Sequence, residues 1–285
     1  MQMRFVAYNR SMNTFRLVLR DAVKKVRSAF SYLSAKKYTT LAGTMAFFLV
    51  MSVVPFLFWL TIIFGRMNID YDRFFELEIF KEVKDVLAYL RESAKSATTG
   101  ASVLLLLTTL YSSTNLFYHM RRSGEIIYDS RRRKGGVAVR ISALVLIFIV
   151  MLLLVLGISL FMLGNIFLRR VLPSFIAQVA AYAIVGVIAF TLVLILNLYV
   201  CPYRIGVKNA VWGSLLTLLL GGLASFGFSL YAEMSSLEKL YGAAVLFIFF
   251  LLWLYLLMIC FVIGVIFNCY LLEKDGLLKI VDKKF

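Results

Sequence analysis

The chain has one histidine, His119, and two carboxylates close after it, Glu125 and Asp129, one helical turn apart. Such a pair could hold a divalent cation weakly. The commoner fate of these residue types is an ion pair with a neighbouring guanidinium, here Arg121, Arg122 or Arg132. A single histidine cannot supply the multi-histidine ligand set of a catalytic zinc, nor most acid–base relays. No glycine-rich loop of the Walker type occurs, so ATP is not the direct energy source. Cys201, Cys260 and Cys269 lie in or beside apolar stretches with no CxxC spacing and read as small packing residues. No catalytic residue, metal or cofactor is expected, and the chain is not read as an enzyme.

A milder polar chemistry is spread through the apolar sequence. Ser112, Ser113, Thr114 and Asn115 follow one another in a single turn, and Asn165, Asn197 and Asn268 fall near the ends of other apolar stretches. These groups suit hydrogen bonds between helices, or a polar groove for a substrate. Pro55 sits near the centre of the first stretch, where it frees the carbonyl at Met51 and sets a hinge; Ser52 is placed to bond the loosened backbone. Gly213, Thr217, Gly221, Ser225 and Ser229 recur every four residues, a small-residue ridge that admits a second helix at close range, within the chain or in a homo-oligomer. Arg121 and Arg122, with the run Arg131, Arg132 and Arg133, offer guanidiniums to anionic headgroups.

The elements that carry these residues are membrane helices. Six apolar stretches span residues 41–65, 101–118, 141–168, 175–200, 207–232 and 240–272. A hydrocarbon core of about 30 Å needs about 20 helical residues, and a backbone without water must satisfy itself as a helix. Hydrophobic residues make up 62% of the 285, well beyond a soluble domain. The sequence predicts an all-α polytopic protein of six transmembrane helices in one membrane domain, 39–272. A basic cytoplasmic segment, 1–38, precedes it and a cytoplasmic tail, 273–285, follows. No Asp, Glu, Lys or Arg lies deep within a stretch, which argues against a carrier coupled through buried carboxylates.

Net charge is +16, and its distribution sets orientation. Alternate connections hold 22 Lys and Arg on one side against 9 on the other, which puts both termini in the cytoplasm. Phe15, Leu19, Ala22, Val26, Phe30 and Leu33 form an apolar stripe opposite Arg16, Arg20, Lys24 and Arg27, an amphipathic helix for the inner leaflet rather than for nucleic acid. A second amphipathic helix, roughly Tyr71–Ser96, is expected on the outer surface between spans one and two, as a cap or a lid. The first span reads as an uncleaved signal anchor.

Taken together, Ala42 through Ser52-Val-Val-Pro55, Tyr111 to Asn115, Ile126-Ile127-Tyr128, Gly213, Phe228 to Tyr231, Tyr241-Gly242-Ala243, Trp253 to Tyr255, Gly264 and Asn268 carry a resemblance. In order and spacing the chain resembles the YihY/BrkB family of bacterial inner-membrane proteins, once labelled ribonuclease BN. It departs at Ala243, where the family often has Ser, and at Tyr199-Val-Cys-Pro202, where an Arg-rich stretch is usual. The resemblance implies a six-span inner-membrane protein without an established biochemical activity, with relatives linked to serum resistance or envelope lipid export. The ribonuclease label fits poorly with one histidine. The resulting expectation is a transporter or translocation factor for a lipid or similar envelope amphiphile, anionic membrane lipids being its partners. Ser112–Asn115 would line the groove, Pro55 would be the hinge and the arginines would gather headgroups. A non-transporting scaffold built on the Gly213–Ser229 ridge is the alternative.

Overall fold

The computed structural model describes residues 20, 24, 27–66, 99–130, 135–171, 174–203, 205–234 and 243–276. Within them are seven helices and no strand: α1 (27–35), α2 (Tyr38–Arg66), α3 (Thr99–Ile127), α4 (Gly136–Val171), α5 (Ser174–Val200), α6 (Val207–Met234) and α7 (Ala243–Lys274). The six long helices coincide with the six apolar stretches to within about a turn at most ends, except that α3 runs on to Ile127, well past the end of its stretch at residue 118. Among the described residues, four segments are long and apolar enough to cross a membrane: Gly136–Phe161, Tyr182–Val200, Val207–Tyr231 and Ile248–Lys274. This is a multi-pass membrane protein. The outer amphipathic segment, residues 71–96, and most of the N-terminal stripe lie outside the described residues, as do Arg131, Arg132 and Arg133.

Each long helix packs on its sequence neighbour, and α7 returns to α2, so the six form a closed ring. The α6–α7 and α2–α3 seams are the most extensive, and α3 also reaches α5 and α7. From α3 to α7 the connections are short, and neighbours joined by few residues have little choice but to lie side by side, whereas α2 meets α3 across the longer segment 67–98. Outside the ring, large apolar side chains such as Val145, Phe148 and Leu152 on α4 or Leu219, Leu223 and Phe226 on α6 are exposed, a surface suited to acyl chains rather than water.

The ends of the ring are fastened at α1. Lys37 adopts a left-handed conformation, φ 55°, which turns the chain from α1 into α2. Lys36 Nζ donates 2.8 Å to the Ile127 carbonyl at the end of α3 and pairs with Glu273 of α7 at 3.2 Å. Tyr32 donates to the other oxygen of Glu273 at 2.7 Å. Of the apolar positions predicted to face lipid, Phe30 is exposed but Leu33 packs on the ring's core. α3 ends in a Schellman-type closure: Ser130 N–H donates 3.0 Å to the Glu125 carbonyl, with Asp129 left-handed at φ 47°.

Candidate functional site

A cavity of about 540 Å³ lies within the ring, and all six long helices contribute to its wall. Ser52 comes from α2, Phe117 from α3, Val150 from α4, Leu196 from α5, Gly221 and Ser225 from α6, and Phe261 from α7. The three hydroxyls of Ser52, Thr217 and Ser225 are its polar features; the rest of the described wall is aliphatic, aromatic, thioether or glycine. Its size falls in the range of small-ligand pockets, about 300–1,000 Å³. With so few polar groups, it suits hydrocarbon.

Ser112, Thr114 and Asn115 are not part of that wall. Helical geometry separates them from it: Leu116, Phe117 and Met120 of α3 face the cavity, and Thr114 and Asn115 face α4. There they meet Arg140 of α4. The Arg140 guanidinium donates 2.9 Å to the Tyr111 hydroxyl and 3.4 Å to both Thr114 Oγ1 and Asn115 Oδ1. It lies 4.2 Å from the Tyr111 ring centre and 4.9 Å from that of Tyr118. Its place at the very edge of an apolar stretch, one turn inside the helix, is the signal that could have found it. Ser52 reaches the Ser112 carbonyl at 3.3 Å, across to α3 rather than back to its own helix. α2 runs on through Pro55; the side chains of Pro55 and Ser113 lie outside the described residues.

The other arginines are occupied differently from one another. Arg121 is 8% exposed and gives its donors to the carbonyls of Tyr199, of Cys201 at 2.5 Å and of Pro202 at 3.4 Å. It closes the C-terminal end of α5, where unpaired carbonyls concentrate negative charge, so its donors do not face a headgroup. Gly124, one turn on, permits this approach: a Cβ there would land on the Val200 carbonyl. Arg122 pairs with Glu125 at 2.6 Å, the ordinary fate anticipated for that carboxylate. His119 stacks on Phe48 with ring centres 3.6 Å apart. Burial, and then the charge of Arg140, hold its pKa below the usual histidine value. Among the described residues no three His, Cys, Asp or Glu side chains gather as a metal site.

The small-residue ridge of α6 faces α7. Cβ atoms at Gly213 or Gly264 would strike the opposing backbone, so the two helices touch main chain to main chain. Asn268, 1% exposed, accepts from Gly213 N–H at 2.8 Å and donates to Asn197 Oδ1 at 3.0 Å, joining α5, α6 and α7. Further along, Trp253 donates to Ser225 at 3.2 Å, and Ser229 is exposed.

The family described as Virulence factor BrkB matches residues 29–281. The chain belongs to the BrkB family. The match covers every described helix from α2 to α7, and so includes the ring, its cavity and the α6–α7 contact. No curated protein and no solved structure matches this BrkB-family chain.

Proposed function

We propose that this BrkB-family protein is a six-span protein of the bacterial cytoplasmic membrane, both termini inside, that takes a lipid or similar envelope amphiphile into its central cavity and passes it across the bilayer. The observation that carries the reading is the apolar cavity walled by all six helices. An acyl chain fits such a wall, while a headgroup would remain near polar residues at its margins. The basic excess on one side supports the orientation. Pro55, one turn beyond the cavity residue Ser52 on α2, is the proposed hinge by which that helix opens. The protein is proposed not to be an enzyme. The ridge that would serve a scaffold or a homo-oligomer is turned toward α7, which favours the transport reading over that alternative.

The test is transfer of headgroup-labelled fluorescent lipids in vesicles containing the purified protein, followed with a membrane-impermeant quencher. Wild type should expose inner-leaflet label well above protein-free vesicles. Leu196→Trp, which puts an indole into the cavity, should abolish the gain. Equal transfer by folded wild type and Leu196→Trp would remove the cavity from the mechanism.

A further inference from the structure

Every partner observed for Arg140 is neutral. Its contacts are the Tyr111 and Tyr118 rings, the Tyr111 hydroxyl, Thr114 Oγ1 and Asn115 Oδ1, with no carboxylate among the described residues. Arg122, which also lies over the Tyr118 ring at 5.3 Å, is by contrast neutralised by Glu125. A guanidinium has five N–H donors in a planar fork, and the three bonds made here leave two for something else. The Tyr111 and Tyr118 rings pack against the guanidinium and restrict it, which lowers the entropy lost when it takes a bidentate ligand.

The surroundings are those of a lipid rather than of a soluble anion. Tyr111 is 57% exposed, and Ile141, Val145 and Phe148 run up α4 from Arg140 as exposed apolar side chains on the outside of the ring. An unneutralised fork with a hydrocarbon-facing strip behind it matches one phosphate and the acyl chain attached to it. We infer that Arg140, framed by Tyr111 and Tyr118, binds the phosphodiester of an anionic glycerophospholipid, whose acyl chain lies along Ile141, Val145 and Phe148. This site is separate from the cavity and does not require that the cavity carry lipid. It moves the headgroup-binding role from Arg121, which is committed to carbonyls, to an arginine inside α4.

The experiment is native mass spectrometry of the full chain in detergent, with phosphatidylglycerol and phosphatidylcholine in competition. Wild type should retain one phosphatidylglycerol with about a tenfold preference. Arg140→Gln should lose that preference and Arg140→Lys, which keeps charge but not the fork, should fall between. Leu196→Trp should keep it, which separates this site from the cavity. A preference unchanged in Arg140→Gln, at wild-type helicity and unfolding midpoint, overturns the proposal and leaves Arg140 a strut between α3 and α4. Should Arg140→Gln fail to fold, Tyr111→Leu decides: it keeps the charge but removes a ring and an acceptor, and unchanged preference there also overturns it. Displacement of the bound lipid by inorganic phosphate alone would show a site for soluble anions and overturn the assignment to lipid.

Discussion

Arg121 serves the protein as a cap. Three carbonyls at the end of α5 converge on it, and a neutral replacement would leave them buried without donors. Hydrogen bonds to a charged group contribute about 1.5–3 kcal/mol, so Arg121→Met should lower stability by roughly that amount, read as a lower unfolding midpoint in detergent. Arg121→Lys should recover only part, because one ammonium cannot reproduce the spread of the fork. The neighbouring Cys201 gives a second readout. Burial pushes its thiol up to about 11, so at neutral pH almost none is thiolate. Maleimide labelling of Cys201 in the folded protein should be slow at pH 7 and rise with pH toward that value, since the thiolate is the nucleophile. The Arg121 charge holds that pKa down against burial, so Arg121→Met should shift the labelling profile of the folded protein to higher pH. The role of Arg121 was not legible in the sequence, because its partners are main-chain carbonyls some eighty positions away and main chain carries no sequence signal.

At the scale of elements, the α6–α7 seam explains several of the residues on which the family likeness rests. Gly213, Gly264 and Asn268 are the points where two backbones meet and where a side-chain amide takes a backbone N–H of the facing helix. Gly264→Ala must push the helices apart, and should cost more than about 2 kcal/mol or prevent folding. Gly221→Ala is the control: its Cβ would stand 3.7 Å from Leu257, ordinary contact, and stability should change by less than about 1 kcal/mol. Unfolding midpoints of the two variants check this directly. The four-residue spacing made the ridge legible in advance, and runs of apolar residues made the helices so. Which helix would receive the ridge was not legible, since Gly264 is the lone glycine of α7 and Cys260 and Asn268, four residues to either side, do not extend it as a run of small residues.

The whole molecule presents a trade between stability and use. A central void forfeits packing contacts that a denser ring would make. Filling it should therefore stabilise while it stops transfer, so Leu196→Trp is expected to match or exceed the wild-type unfolding midpoint with transfer lost. Pro55→Ala should act the other way round: lipid binding retained, transfer slowed several-fold, because α2 loses its proposed hinge. Transfer rates and retained lipid, measured on the same preparations, separate the two. The void was not legible in the sequence, although Ser52, Thr217, Gly221 and Ser225 of its wall stand out there for other reasons. Six helices create it jointly, each contributing a few residues whose own pattern is simply apolar. Hence the Ser112–Asn115 cluster, the most polar feature of its stretch, drew attention that belonged to Phe117 and Met120 on the next face.

The closed ring also fixes an order of events at the ribosome. α7 is synthesised after α2 to α6, yet it supplies Gly264 and Asn268 to α6, Glu273 to Lys36 and Tyr32, and the contact that returns to α2. Until it arrives, Asn197 lacks its partner on α7, and the void stands open along one side. A nascent chain at that point displays polar groups to the bilayer that the finished protein hides. A chain halted after Met234 should thus be cleared by membrane proteases much faster than the full-length protein, and co-expression of α7 as a separate peptide should slow that clearance.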